Sequence, residues 1–362
     1  MFEKHTINKM HSSKIKKDQT AQTFDLYPEI REMFKEFPKF KEEILPSRYW
    51  VELNAKNLEQ LANSGFENFK RTVARNYFTW IVNPLNSQIR FLVKETGYLN
   101  SIKLFCQLIF RQKHEHLTKR QSFYYDTLTH LLWSYVEKYD EEHLLEKLIE
   151  PSLGNPPTLT QNGHLISQDL ANSILEYKAV LKLGVNDSEL KTILELGPGY
   201  GRTAYVFLTL RPDLRYILVD IPPALYICQR YLTSIFPNRR AFKFRAFSSF
   251  ENIQEELESA SLIFLTPNQI ELLPNKSIDL TLNISSLHEM RMVQISHYFT
   301  EIERLTQKYF YFKQWKKTTV PREGEIICEA DYPVGPRWKL LKRQQCEIQH
   351  RFFERLYELP QN

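Results

Sequence analysis

Thr192-Ile-Leu-Glu-Leu-Gly-Pro-Gly-Tyr-Gly201 decides the fold: an apolar run holding Glu195 breaks into glycines at 197, 199 and 201. A helix-forming stretch follows from Arg202 to Leu210, and a second apolar run, Tyr216 to Val219, stops on Asp220. Strand, glycine turn, helix and acid-tipped strand form the unit that holds adenosine-containing ligands. Glycine permits positive φ and lets a ligand lie on the main chain, where a Cβ would collide.

Glycine spacing separates the ligand classes. The dinucleotide fingerprint places its third glycine three residues after the second, but that position is Arg202. Here the third glycine comes two residues after the second, with an acid two before the first. This E-x-G-x-G-x-G spacing predicts a site for S-adenosylmethionine (SAM) rather than NAD. Gly197, Gly199 and Gly201 form the expected cradle. Glu195 accepts from the ligand's ammonium through water, and the helix start at Arg202 faces its carboxylate. Asp220, beside Ile221, reaches both ribose hydroxyls. The competing reading is a plain strand-to-helix turn with Asp220 as a cap before Pro222-Pro223.

Outward from this motif the chain is ordinary in composition. Its 362 residues, 42% hydrophobic and 25% charged, describe a globular protein long enough for two domains. No apolar run approaches the ~20 residues of a membrane span. The basic N-terminus (Lys4, Lys9, Lys14, Lys16, Lys17) lacks the apolar core of a secretory signal. Cys106, Cys228, Cys328 and Cys346 are far apart, without ligand spacing, and read as free thiols of a reducing cytoplasm. A net charge of +5 chooses no partner by itself.

The periodicity predicts a basic tail over 1–20, a helical domain over 21–150, a linker and leading helix over 151–190, and a ligand-binding domain over 191–362. Helices are expected near 26–45, 47–64, 66–82, 86–96, 99–115, 117–139 and 141–149, punctuated by Gly65, Pro84 and Gly97. A further helix runs from Ser167, its expected N-cap, to about Leu183. Strands are expected near 192–196, 215–220, 261–266, 278–284, 308–315, 337–345 and 350–358, with helices near 202–211, 223–236 and 291–304. Alternating strands and helices signify a mostly parallel sheet.

Ligands in such sheets bind at the carboxyl ends of the strands. After the third strand, Asn268 or Gln269 stands where an adenine edge would be held, unless Pro267-Asn268 is only a turn. The fourth strand ends in Asn283-Ile-Ser-Ser-Leu-His-Glu-Met290, which supplies Asn283 toward the cofactor and two candidate catalytic residues, His288 and Glu289. Methyl transfer to a hydroxyl needs that oxygen held in line and its proton removed. His288 suits the base. Ser286-x-x-Glu289 also fits a capping box that would take Glu289 into a helix start. Lys313, Trp315 and Arg337 are candidate acceptor contacts, with an edge-strand role open for Trp315. Asp169, Asn172 and Glu176 share one helix face, solvated unless it turns toward the methyl. Without a ligand motif a divalent cation has no assigned residues.

Several of these segments are similar to sugar O-methyltransferases of bacterial surface-polysaccharide gene clusters. The matching stretches are Pro46–Trp50, Asn68–Thr72, Ile166–Ser173, Glu195–Arg202, Val219–Tyr226, Asn283–Met290 and Tyr311–Trp315. The resemblance implies a Rossmann-like class I methyltransferase sheet, seven-stranded with an antiparallel last strand, behind an all-helical N-terminal domain. It also implies a sugar hydroxyl as acceptor, on a nucleotide-sugar or glycan intermediate. The alternatives are methylation of another small molecule, a protein or RNA, and a methyltransferase-like protein that binds SAM without chemistry. Nitrogen-methylating enzymes often carry Asn/Asp-Pro-Pro-Tyr/Phe where Asn283-Ile-Ser-Ser stands, and RNA would favour a stronger basic stripe than +5 provides. The expected partner is therefore a small-molecule or glycan acceptor, with no nucleic acid and no membrane span.

Overall fold

The computed structural model describes residues 23–77, 87–114 and 117–361. The basic tail, Pro84 and one end of each of three expected helices (66–82, 86–96 and 99–115) lie outside the described residues. The strands are β1 (Leu159–Gln161), β2 (His164–Ile166), β3 (Thr192–Leu196), β4 (Arg215–Val219), β5 (Ala241–Phe242), β6 (Leu262–Leu265), β7 (Ile278–Ile284), β8 (Thr306–Trp315), β9 (Lys317–Thr319), β10 (Ile326–Cys328), β11 (Lys339–Gln345) and β12 (Phe352–Glu358).

Eight of them make one sheet in the order β11-β12-β8-β7-β3-β4-β6-β5. From β5 to β8 neighbours run parallel, and β12 is antiparallel to both β8 and β11. This is a mostly parallel sheet with a reversed last strand, the arrangement that the resemblance implies. The short edge strand β5 makes eight strands where seven were expected. Every residue of β7 is buried, as in a strand covered on both faces. Residue alternation sends Ile193 to one core layer, with Leu280, and Leu194 to the other.

Two helices frame the carboxyl ends: α7 (Gln168–Lys182) and α8 (Arg202–Leu210). They follow α1 (Pro28–Phe34), α2 (Arg48–Ser64), α3 (Ala74–Tyr77), α4 (Ser87–Thr96), α5 (Tyr98–Ile109) and α6 (Lys119–Lys138). Beyond them come α9 (Ala224–Ile235), α10 (Gln254–Ser259) and α11 (Met292–Leu305). Ser167 caps α7 as expected, its Oγ accepting from Leu170 N–H at 3.0 Å. The expected helix 26–45 stops after α1, and 3₁₀ turns carry the chain over Phe37–Lys39 and Glu42–Ile44 around Pro38. Of the expected 66–82 and 141–149 helices, the described residues form a 3₁₀ turn plus α3, and a 3₁₀ turn over Leu144–Lys147.

The stretch read as a linker contains a hairpin. Asn162 and Gly163 both take positive φ, 49° and 83°, and join β1 to β2. The helical region shares its core with the sheet: Leu58, Leu132, Phe207 and Leu280 belong to one apolar cluster. A buried network fastens this junction. Lys70 Nζ bonds Glu150 at 2.5 Å and Tyr231 Oη at 3.2 Å, and Ser167 Oγ donates to Glu150.

Candidate functional site

The end of β3 lies level with its neighbours: Leu196 pairs with Val219 of β4 and Asn283 of β7. The chain then turns on itself. Gly197 N–H donates to Val219 O at 2.9 Å, and Gly197, Gly199 and Gly201 take φ of 70°, 60° and 86°. A Cβ on Gly197 would stand 2.5 Å from Ser286 Oγ, so the glycine admits the end of β7 to the turn. Ser285, the residue before, is itself held at φ 60°, a sparsely populated conformation for a residue with a Cβ.

A cleft opens above these strand ends. Its wall includes Glu195, Gly197, Gly199, Arg202, Asp220, Ile221, Ser285, Ser286 and Glu289. Seven of the ten expected cofactor contacts were placed among Glu195–Arg202, Asp220 and Ile221, and all but Gly201 are on the wall; Gly201 instead lies against Cys228 and Leu232. Asp220 receives N–H groups from Gly199 at 3.0 Å and Ile221 at 2.7 Å, and so ties the acid to the glycine turn. Tyr216 Oη donates to Glu195 at 2.8 Å.

The carboxyls of the cleft share one electrostatic condition. Burial pushes Glu195 up to about 7, Asp220 up to about 7 and Glu289 up to about 8. Asp220 and Glu289 keep some access to the cleft but have lost most of their hydration. The cation on the wall, Arg202, is already engaged: its guanidinium holds Glu176 through two bonds, at 2.7 and 3.0 Å. The cleft therefore presents acceptor oxygens in excess of positive charge.

The catalytic candidates separate. Among the described residues, Glu289 stands on the cleft wall and His288 does not. His288 is 2% exposed, donates from Nδ1 to Gln314 Oε1 at 2.9 Å and stacks on Trp315 at 4.9 Å. Its burial draws its pKa down to about 4. Of the two expected catalytic residues, Glu289 faces the cleft and His288 lies in the interior. The alternative capping box does not form either: Ser286 Oγ accepts from Asn283 Nδ2 at 2.6 Å and leaves Glu289 to the cleft.

Other expectations are corrected. Asn283 is fully buried and bonds Leu196 O, Ser286 and Gln314; it locks the strand ends together behind the cleft. Gln269 caps Thr266 and donates to Arg245 O, so its amide is spent on the turn. Asn268 Nδ2 donates to Glu36 at 2.8 Å. Of that loop, Pro267 reaches the wall. Trp315 packs on His288, and Arg337 is surface-exposed and paired with Glu303 at 3.4 Å.

The polar face of α7 is not solvated. Asn172 and Glu176 are each 1% exposed; Asn172 Nδ2 donates to Glu176, and Lys313 Nζ approaches Glu176 at 3.4 Å. Asp169 accepts from Tyr200 Oη at 2.7 Å. These residues form an ion-paired layer behind Arg202. Asn172 and Lys313 also line a separate cavity of about 760 Å³.

Residues from the helical region complete the cleft. Ile44, Pro46 and Trp50 line it together with Met290, Gln294 and Tyr298. Lys41–Glu271, Arg291 with the carbonyls of Glu42 and Leu45, and Arg48 N–H with Glu323 pin that segment down. Pro46–Trp50 was legible only as a matching stretch, with no spacing to mark its role. Among the described residues no group of three or more His, Cys, Asp or Glu could hold a metal ion.

No family model matches the sequence, and no curated protein matches it. Among solved structures, a protein from Pyrococcus horikoshii is 13% identical over 54% of this chain and 92% of its own, with a TM-score of 0.37. A SAM-dependent methyltransferase from Aquifex aeolicus is 12% identical over 51% and 89%, TM-score 0.31. A third, an S-adenosylmethionine-dependent methyltransferase from Clostridium acetobutylicum, is 12% identical over 52% and 90%, TM-score 0.35. At these values the fold is judged from the strand order itself.

Proposed function

We propose that the chain is a SAM-dependent O-methyltransferase whose acceptor is a sugar hydroxyl. The observation that carries this reading is the cleft of three dehydrated carboxyls around a left-handed glycine turn. The donor set suits a ligand with cationic ammonium and sulfonium groups, because such charge would favour the ionised carboxylates that burial opposes. Asp220 would receive the ribose hydroxyls, Glu195 the ammonium through water, and Ile221 and Pro267 would border the base. When bound, SAM supplies an electrophilic methyl group on sulfur.

Glu289 is the proposed base. It would accept the hydroxyl proton as the acceptor oxygen forms its bond to the methyl carbon and the carbon–sulfur bond breaks. A group whose pKa lies near neutrality balances availability against proton affinity. Trp50 would offer a flat apolar face to the C–H side of a pyranose, and Ile44, Pro46 and Met290 would exclude water. The sequence resemblance supports the sugar; the cleft's aromatic wall is compatible with it.

Calorimetry with SAM and S-adenosylhomocysteine tests the first half. Micromolar binding of both is expected, and silence toward both removes the reading. Labelled SAM with a panel of nucleotide-sugars, with and without EDTA, tests the second. Binding without transfer to any of them would move the acceptor to another class.

A further inference from the structure

Helix α5 is apolar on its exposed face as well as on its buried one. Ser101 and Leu108 face the core, while Leu99 is 83% exposed, Tyr98 67%, Ile102 57% and Ile109 51%, with Phe110 just beyond at 89%. At ~100° per residue, Tyr98, Leu99, Ile102, Cys106, Ile109 and Phe110 fall within an arc of about 120°. Cys106 is exposed with them. An apolar stripe of this breadth facing water marks an interaction surface.

The surrounding charge identifies the partner. Between Gly97 and Tyr125 the sequence carries five cations (Lys103, Arg111, Lys113, Lys119, Arg120) and one acid, Glu115. Lys103, Lys113, Lys119 and Arg120 are exposed, and Arg111 lies 3.7 Å from Asp126, a carboxylate 1% exposed and also bonded by His114. A second copy of this face would bring these cations against their own equivalents. An apolar strip bordered by cations instead fits an interface whose centre is hydrocarbon and whose rim is anionic. We propose that the α5 face docks on the surface of an anionic phospholipid bilayer, with Leu99, Ile102, Ile109 and Phe110 in the acyl boundary and the Lys/Arg residues among the headgroups. No described helix is long and apolar enough to cross a membrane, so the contact is peripheral.

Co-sedimentation of the full chain with phosphatidylcholine vesicles, with and without phosphatidylglycerol, tests this. Binding is expected only with the anionic lipid and should fall steeply with salt. Leu99→Glu/Phe110→Glu should abolish it, with circular dichroism unchanged because both side chains are mostly in water. Lys103→Glu/Lys113→Glu, which spares the apolar strip, should weaken it by at least tenfold. Equal partitioning of the parent and both variants would overturn the proposal. So would an absence of binding, or a concentration-dependent dimer in sedimentation velocity that Leu99→Glu/Phe110→Glu dissociates.

Discussion

Glu176 and Glu195 are both almost fully buried, 1% and 3% exposed, and close enough to feel each other's charge. Their states are opposite. Burial would raise Glu176, but the charges of Arg202 and then Lys313 overcome it and hold the carboxyl below its ordinary range. Glu195, with Tyr216 as its hydrogen-bond donor, is carried by burial up to about 7, alongside Asp220 and Glu289. Pairing is what differs. A carboxylate that folding has already neutralised serves the fold, whereas one left dehydrated beside a cleft is poised for a ligand or a proton.

The comparison breaks most visibly at Glu289. Glu289→Gln keeps the side chain's shape and removes its basicity, so methyl transfer should slow by roughly 10²–10⁴-fold while SAM affinity changes little. A normal turnover rate in that variant assigns the proton to another group. His288→Ala, which empties a packed site rather than the cleft, should lower stability more than turnover; the reverse order would restore His288 as base.

Glu176→Ala tests the other half. It takes the shared carboxylate away from Arg202 and Lys313 in the interior, and removing one partner of a buried ion pair costs about 3–5 kcal/mol. Urea denaturation should show that loss without a matching change in SAM affinity per folded molecule. A loss below about 1 kcal/mol would mean the layer is solvated after all. Asp220→Ala should act in the opposite sense. SAM binding should weaken by about 1–3 kcal/mol through lost charge-assisted bonds. Unchanged affinity in calorimetry would remove Asp220 from the ligand's contacts.

How much of this contrast was legible follows from how far apart the partners are. Strands β3, β4, β6, β7 and β8 read directly, because continuous apolar runs such as Ile278–Ile284 have one fate in a parallel sheet. Glycine spacing and two acids gave the cleft's floor for the same local reason. Glu176 could not be read: its cations lie 26 and 137 residues away, so the polar face of α7 resembled a solvated one. Nor could His288 be separated from Glu289. The phase of one 3₁₀ turn, Leu287–Glu289, sends adjacent side chains to opposite environments. Asn268 and Gln269 failed differently, since short polar side chains after a strand serve the turn as readily as a ligand. Asn162-Gly163 was the reverse case, a hairpin signature present in the sequence and passed over as linker.

The finest test of the comparison is its pH dependence, where the two sets of carboxyls must act with opposite signs. Glu195, Asp220 and Glu289 ionise near 4 in the unfolded chain but hold their protons to about 7, 7 and 8 when folded. The unfolded state then binds fewer protons, so without ligand these groups lower stability as pH rises from about 4 to about 8. Glu176, held below its ordinary range, contributes stability that is present above about 4.5 and lost as pH falls through its folded value. A cationic ligand selects the ionised cleft. SAM affinity should rise about tenfold between pH 6 and pH 8 for each carboxyl it engages near pKa 7, with release of about half a proton per engaged group at pH 7. Calorimetry in buffers of different ionisation enthalpy measures that release. Proton uptake, or affinity flat across the window, would mean that these carboxyls are not the ones the ligand meets.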